Sequence, residues 1–414
     1  MTPEEVRLLM AQPAQSALAE HVTDDPDRFA LTNAGRDDIP VRAIAEQIAC
    51  RRKAAVKLPF LTGTDFLYDS LGLQQCSGEA AARYRATLLN GRRLLDLTGG
   101  LGIDSLFLSR RFDEVHYCER DPSLLALFEA NRRVLGLDNV IVHKGDSIET
   151  LSRFPENYFD WVYADPSRRD NHGRHVVLQR CAPNIIDAFP VIAARARHLC
   201  IKASPLLEPS ALGAELPGVE WARFISAGGE CKELVLFART DGKQCSMRTA
   251  AVVLGSRGDT LFELNDDGRE QECAAADTLG QLIFDPDPAI TRAGLWRQLG
   301  ARFGLRTVNR TTGLLTGDTV PGTFPGRVFE VNAAMVWRRA AVRRYLQEHG
   351  VSHATVGCRD FPMRPDELRA LLSLGEGDRD VLLFTRNHRG EKLCIHCIRP
   401  AADDRQPERS IGEP

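Results

Sequence analysis

The sequence predicts an α/β fold: a parallel sheet with helices on both faces, closed by an antiparallel hairpin. Three observations carry that expectation. Short apolar runs alternate with helical stretches from about residue 92 to 202, and strands separated by helices imply parallel crossovers. The glycine-rich segment Thr98-Gly99-Gly100-Leu101-Gly102 sits where the first run gives way to a helix. Two later runs, Trp221 to Ile225 and Leu234 to Ala238, flank Gly228-Gly229 as a hairpin compatible with such a sheet.

In chain order, residues 1–70 read as helical segments broken by loops, with Ile44 and Ile48 on one face. The basic run Arg51, Arg52, Lys53 and Lys57 reads either as a solvated helix face or as phosphate contacts. Strands are expected at Arg93–Leu97, Glu114–Glu119, Asn139–His143, Phe159–Ala164 and Leu199–Lys202, with helices at Ile103–Arg111 and Pro122–Leu135. Beyond about residue 245 the pattern turns to mixed α+β. Thr260–Leu264 is a strand, Ala289–Phe303 an amphipathic helix, Val328–Val331 a strand, and Met335–Glu348 a helix carrying Arg338, Arg339, Arg343 and Arg344. A βαβ-like unit closes the chain: Ala354–Gly357, the helix Asp366–Leu374, and the hairpin Val381–Phe384 with Leu393–Ile398. The polar tail after Pro400 is expected to be disordered.

Composition bounds the function. The chain has 414 residues, 43% hydrophobic and 26% charged, which fits a soluble globular protein of several domains. No uncharged apolar run reaches about 18 residues, so no membrane span is expected. The acidic start Met1-Thr2-Pro3-Glu4-Glu5 lacks the apolar core of a secretory signal. Eleven scattered cysteines suit reduced thiols in a cytoplasm better than a disulfide scaffold. The net charge of -3 means that nucleic-acid binding must come from local patches.

The glycines at 99, 100 and 102 let a backbone turn sharply beneath a ligand. Three acids, Asp96, Glu119 and Asp146 (followed by Ser147), end three consecutive strands, where ligands of open α/β sheets bind. No Gly-Lys-Ser/Thr follows the glycines, so this is not a phosphate-binding loop. Asp96 is expected at the mouth of the loop, where it would repel a pyrophosphate and attract a cation. S-adenosylmethionine, with its sulfonium and ammonium, fits that charge better than NAD or ATP. A second cluster, Asp165-Pro166-Ser167-Arg168-Arg169, ends the fourth strand. Asp165 and the Pro166 carbonyl would accept N–H bonds from an acceptor amine, and Pro166 stiffens the loop. Arg168 would stack its planar guanidinium on a flipped base or bind phosphate. Arg168, Arg169, His172 and Arg174 thus suit a nucleotide, or else form an exposed basic loop.

Across about residues 72–240 the motif order resembles class I S-adenosylmethionine-dependent methyltransferases. Their Asp-Pro-Pro-aromatic signature marks enzymes that methylate amino groups of nucleobases or glutamine. Asp165 and Pro166 match it; Ser167 and Arg168 depart from it. A bacterial family of methyltransferases with a C-terminal THUMP-like domain is closer. Its marks are Gln47-Ile48 with Arg51-Arg52-Lys53-Ala54 and Lys57-Leu58-Pro59, Gln75-Cys76-Ser77-Gly78-Glu79 with Ala82-Arg83-Tyr84, and Asp96-Leu97-Thr98-Gly99-Gly100. They continue through Asp165-Pro166-Ser167-Arg168-Arg169, Lys202-Ala203-Ser204-Pro205, Glu230-Cys231-Lys232-Glu233-Leu234, Phe324-Pro325-Gly326-Arg327 and Arg359-Asp360-Phe361-Pro362.

The resemblance implies a Rossmann-like seven-stranded methyltransferase sheet with small ferredoxin-like and THUMP-like domains. The implied layout is a helical region 1–70, a methyltransferase domain 71–240, a small α+β region 241–325, a THUMP-like domain 326–400 and a tail 401–414. THUMP domains in general bind RNA, so an rRNA or tRNA substrate is implied. Asp165, Pro166, Ser167 and Arg168 would be catalytic. Ser77, Asp96, Thr98, Gly99, Gly100, Gly102, Asp104, Glu119, Arg120, Asp146 and Ser147 would bind the donor. Ser77 and Glu79 otherwise serve as helix caps, and Lys202 makes either an RNA contact or a salt bridge. No metal is expected: Cys394-Ile395-His396-Cys397 has no second cysteine pair, and Cys397 points away from Cys394 and His396 on a strand. The four tryptophans are read as core. Two other readings stay open, a methyltransferase for a small molecule or protein, and an RNA-binding module whose fold no longer turns over.

Overall fold

The computed structural model describes residues 1–168, 178–212, 215–216, 218–243, 245–269, 273–320 and 322–400; nothing is described of the side chains of 168, 210 and 211. The basic loop from Arg169 through Arg174 and the tail expected to be disordered lie outside these residues. The chain divides into two compact units, 1–222 with 232–247 and 256–260, and 223–231 with 248–255 and 261–414.

The first unit begins with helices α1 (Pro3–Leu9), α2 (Gln12–Glu20), α3 (Pro26–Thr32), α4 (Val41–Lys57), α5 (Ser70–Gln75) and α6 (Glu79–Leu88). Its sheet comprises β1 (Gly91–Asp96), β2 (Phe112–Glu119), β3 (Val140–Lys144), β4 (Phe159–Ala164), β5 (Ala196–Ala203), the start of β6 (Val219–Ala227) and β7 (Glu230–Arg239). The strand order is β6-β7-β5-β4-β1-β2-β3. The strands from β3 to β5 run parallel, and β7 is antiparallel to β5. Crossover helices α7 (Ile103–Leu108), α8 (Pro122–Val134), α9 (Ser147–Ser152) and α10 (Ile185–Arg195) connect the parallel strands. β1 and β4 end fully buried, as central parallel strands must.

Side-chain amides tie the N-terminal helices to this sheet. Gln47 of α4 and Asn131 of α8, both buried, each exchange two hydrogen bonds with the extended segment Phe66–Tyr68, as a neighbouring strand would. That is the work of the Gln47 motif. Of the basic run, Arg52 donates to the carbonyls of Thr23 and Asp24, and Lys57 to those of Leu73 and Gln74. These two cations are spent as carbonyl caps.

In the second unit the rest of β6 is followed outward by β8 (Arg248–Leu254) and β9 (Thr260–Asn265). A separate seven-stranded sheet holds β10 (Leu282–Pro286), β11 (Arg306–Thr307), β12 (Leu315–Gly317), β13 (Gly326–Val336), β14 (Thr355–Cys358), β15 (Asp380–Arg386) and β16 (Lys392–Ile398), in the order β11-β12-β10-β13-β16-β15-β14. Strands on both sides of residue 325 therefore share one sheet. The helix expected over 289–303 is two, α11 (Pro288–Arg292) and α12 (Trp296–Phe303), because Gly294 between them takes φ +73°. The helix expected from Met335 starts later, as α13 (Arg339–Glu348), since Met335 and Val336 complete β13 against β16. α14 (Pro365–Leu372) lies between the parallel strands β14 and β15.

Cys394 packs with the helical layer, and Ile395 with Cys397 in the core of the other face, as strand alternation requires. His396 is held by Asp380, Tyr345 and Asn332. Trp296 is buried, whereas Trp161, Trp221 and Trp337 are half-buried, less core-like than expected. Among the described residues no helix is long and apolar enough to cross a membrane.

Candidate active site

The carboxyl ends of β1 to β5 bring the motifs together. Registers place Asp96 opposite Tyr117 and Tyr163, Glu119 opposite Lys144, and Ala164 opposite Ile201, so Asp165 emerges beside Lys202.

The glycine loop is shaped by two aromatic rings. Tyr117 and Phe128 stack at 3.7 Å, and a Cβ at Gly99 would lie 2.2 Å from the Tyr117 ring. Gly102, at φ +81°, leaves the same clearance for Phe128. The Tyr117 hydroxyl donates to the Gly100 carbonyl at 2.5 Å. Glu119 fixes the loop from the other side: Oε2 accepts from Gly100 N, and Oε1 from Arg120 N and Asp121 N. Three of about four acceptor positions on that carboxylate are thus used, leaving one for a ligand. A Cβ on Gly100 would meet nothing closer than the Thr98 carbonyl at 3.8 Å, so the crown of the loop faces open space.

Asp96 does not stand at the mouth of this loop. It is 1% exposed, accepting from Thr98 N at 2.9 Å and Ser105 Oγ at 2.6 Å. Burial pushes its carboxyl up to about 7. Its place at the end of a central strand buries it under the loop it shapes, so it offers no exposed carboxylate to attract a cation. Thr98 then links the two motifs, because its Oγ1 accepts from the backbone N–H of Asp165 at 2.7 Å.

Ser77 and Asp104 meet in a buried network that sequence reasoning missed. Arg85, 1% exposed, donates to Ser77 Oγ at 2.8 Å and pairs with both Asp104 and Glu233. Ser77 Oγ and Tyr163 OH each donate to Asp104 Oδ2 at 3.0 Å. Against its burial, Arg85 and then Lys202 hold the Asp104 carboxyl below its usual range. The signal was present: Arg85 lies one position beyond the quoted Ala82-Arg83-Tyr84, and Glu233 within the quoted Glu230–Leu234. Glu79 accepts from Phe60 N and pairs with Arg83.

At the end of β4, the Lys202 ammonium sits 2.5 Å from Asp165 Oδ2. Of the two readings of Lys202, the structure has the salt bridge. Despite desolvation, Asp165 and then Asp104 raise the ammonium's pKa. Ser167 is exposed, and Ser167 and Arg168 pair with Ala182 and Cys181 in a two-stranded ribbon. Pro166 is half-buried between Asp165 and that ribbon. Asp146 caps α9 through Oδ1, bonded to Ile148 N and Glu149 N; Ser147 behind it is buried, and Arg120 is exposed. Among the described residues no group of three His, Cys, Asp or Glu could hold a metal ion.

A structure from Porphyromonas gingivalis, provisionally assigned as a methyltransferase, superposes with a TM-score of 0.81 at 24% identity, covering 96% of this chain and 98% of that one. The two chains therefore share one fold. An uncharacterised S-adenosylmethionine-dependent methyltransferase, found in two strains of Mycobacterium tuberculosis, is 28% identical over 350 residues, covering 83% of this chain and 92% of that protein. The THUMP domain-like family model matches residues 326–399.

Proposed function

We propose that the chain is an S-adenosylmethionine-dependent methyltransferase that methylates a nucleobase nitrogen of RNA. The observation that carries this is the Asp165 carboxylate, clamped by Lys202 at the lip of the glycine loop. Bound S-adenosylmethionine supplies an electrophilic methyl group on a sulfonium. The residues present fit that donor: the open crown at Gly100, the remaining acceptor position on Glu119 for a ribose hydroxyl, and Asp146 at the end of the next strand. Ser77 and Asp104, also expected to bind the donor, are held in place by Arg85.

Asp165 Oδ1 and the Pro166 carbonyl accept the N–H groups of an exocyclic amine, turning its lone pair toward the methyl group. Lys202 holds Oδ2, so the carboxylate presents one fixed edge. In-line displacement depends on alignment of this kind. Support for RNA comes from the THUMP-like match and from the exposed arginines Arg338, Arg339, Arg343 and Arg344 on or beside α13. Eleven cysteines scattered along the chain are in keeping with a cytoplasmic location.

The test is transfer of a radiolabelled methyl group from S-adenosylmethionine to cellular RNA, protein and small-molecule fractions, by wild type and Asp165→Ala. Label in RNA that disappears with the variant supports the reading. Label confined to another fraction replaces the substrate class, and donor binding without transfer to any fraction favours a non-catalytic module.

A further inference from the structure

Two motifs singled out in the sequence, Phe324-Pro325-Gly326-Arg327 and Arg359-Asp360-Phe361-Pro362, have no part in the methyl-transfer site. The fold brings their arginines to one carboxylate. Asp285 on β10 is 3% exposed; Oδ2 accepts from Arg327 Nη2 and Oδ1 from Arg359 Nη2. Asp285 and Arg327 are direct cross-strand partners, so their side chains share a face of the sheet. Gly326 makes that approach possible, since a Cβ there would lie 2.3 Å from the Asp285 carbonyl. Arg359 is also fixed by donation to the Thr312 carbonyl at 2.9 Å.

One carboxylate cannot neutralise two guanidinium groups. The trio carries a net charge of +1, and part of it is accessible: Arg327 is 48% exposed and Arg359 29%. Each guanidinium has five N–H donors, and the bonds to Asp285 and Thr312 use only a minority of the ten. The neighbourhood adds Arg310, exposed on the loop before Thr312, while the nearby Arg386 is offset by Asp360 at 3.7 Å. The buried Asp287, two residues from Asp285, also faces Arg327, so what the cluster offers a ligand is its geometry: a buried carboxylate that holds two arginines side by side, with free donor edges, is a preorganised receptor for a two-oxygen anion. Planar forks of this kind match phosphate geometry.

We propose that Arg327 and Arg359, locked together on Asp285, bind a backbone phosphodiester of RNA. This rests on the RNA reading above and adds a contact point remote in sequence from the methyl-transfer motifs. The test is fluorescence anisotropy of the full chain with a labelled 16-nucleotide single-stranded RNA, across a salt series. A methylphosphonate-backbone analogue and inorganic phosphate as competitor serve as controls, and each variant's thermal midpoint is recorded. Arg327→Gln should weaken binding about tenfold, the loss of one charge-assisted contact. It should make the log–log salt slope about 0.7 less steep, the loss of one neutralised phosphate on a single strand. Arg327→Lys should keep the slope and lose part of the affinity, and provides the same reading should the Gln variant unfold. Affinity and slope unchanged in a folded variant would make the trio a purely structural ion pair. Equal binding of the uncharged analogue would remove the phosphodiester, and competition by millimolar phosphate as strong as by RNA would replace it with a free phosphate. No RNA binding by wild type overturns the RNA reading itself, and this site with it.

Discussion

Arg85→Met tests the least anticipated feature of the fold. The side chain is 1% exposed, and its two partners are themselves inside, Glu233 at 3% and Asp104 at 13% side-chain exposure. Methionine fills much of the volume but leaves two buried carboxylates without their cation. Breaking one buried pair costs about 3–5 kcal/mol. Two orphaned carboxylates set the expected loss at about 5 kcal/mol or more, a large share of the roughly 5–15 kcal/mol that holds a domain together. For a unit of this size that is a fall of about 10–20 °C in Tm. The assay is thermal and urea unfolding of wild type and variant at pH 7.5 and pH 5. Without Arg85, burial pushes the Asp104 carboxyl up, so it takes up a proton above the unfolded carboxylate range and the variant's deficit should shrink as pH falls through that window. Arg85→Met with Asp104→Asn and Glu233→Gln should recover much of the loss. A single variant melting within about 2 °C of wild type would refute the reasoning, because a buried pair that costs nothing to break is not load-carrying.

Other outcomes follow from the same geometry. Gly99→Ala drives a methyl group into the Tyr117 ring and should lower stability by about 1–3 kcal/mol and weaken donor binding, read by urea unfolding and calorimetry. Burial, then the stacked His143, pushes His116 down to about 4. Its unfolded value is about 6.5, so the unfolded chain takes up a proton first and stability falls by about 3 kcal/mol as pH drops from 6.5 to 4. In His116→Phe that segment of the pH–stability curve should flatten. Lys202→Met frees the Asp165 carboxylate and should reduce kcat for methyl transfer far more than it changes donor affinity, with Lys202→Arg rescuing part of the loss.

Much of the architecture was legible because strand and helix periods differ and the turn residues stand at the boundaries. Phe159–Ala164 was bounded correctly, and β1, β2 and β3 to within two residues at either end. Failures came where a neighbour decides. Met335 and Val336 fit a helical pattern by composition, but β16 claims them as strand. The amphipathic stretch 289–303 hid a break that one glycine at positive φ imposes. At the site, the order of acids was readable but their exposure was not. Asp96 and Glu119 look equivalent as strand-end acids; the central position of β1 buries the first, while the second reaches the loop's amides. Arg85 and Glu233 stood in or beside motifs, but their pairing was not readable because the partners of Arg85 are 19 and 148 positions away.

The most direct measurement is calorimetric titration of S-adenosylmethionine and S-adenosylhomocysteine into wild type and Glu119→Ala. The account predicts micromolar binding of both to wild type. It predicts a loss of at least tenfold in the variant, which removes both the remaining acceptor position and the acceptor that holds Gly100 in place. No heat with wild type, or equal affinity in the two proteins, would contradict a donor cradle at the glycine loop.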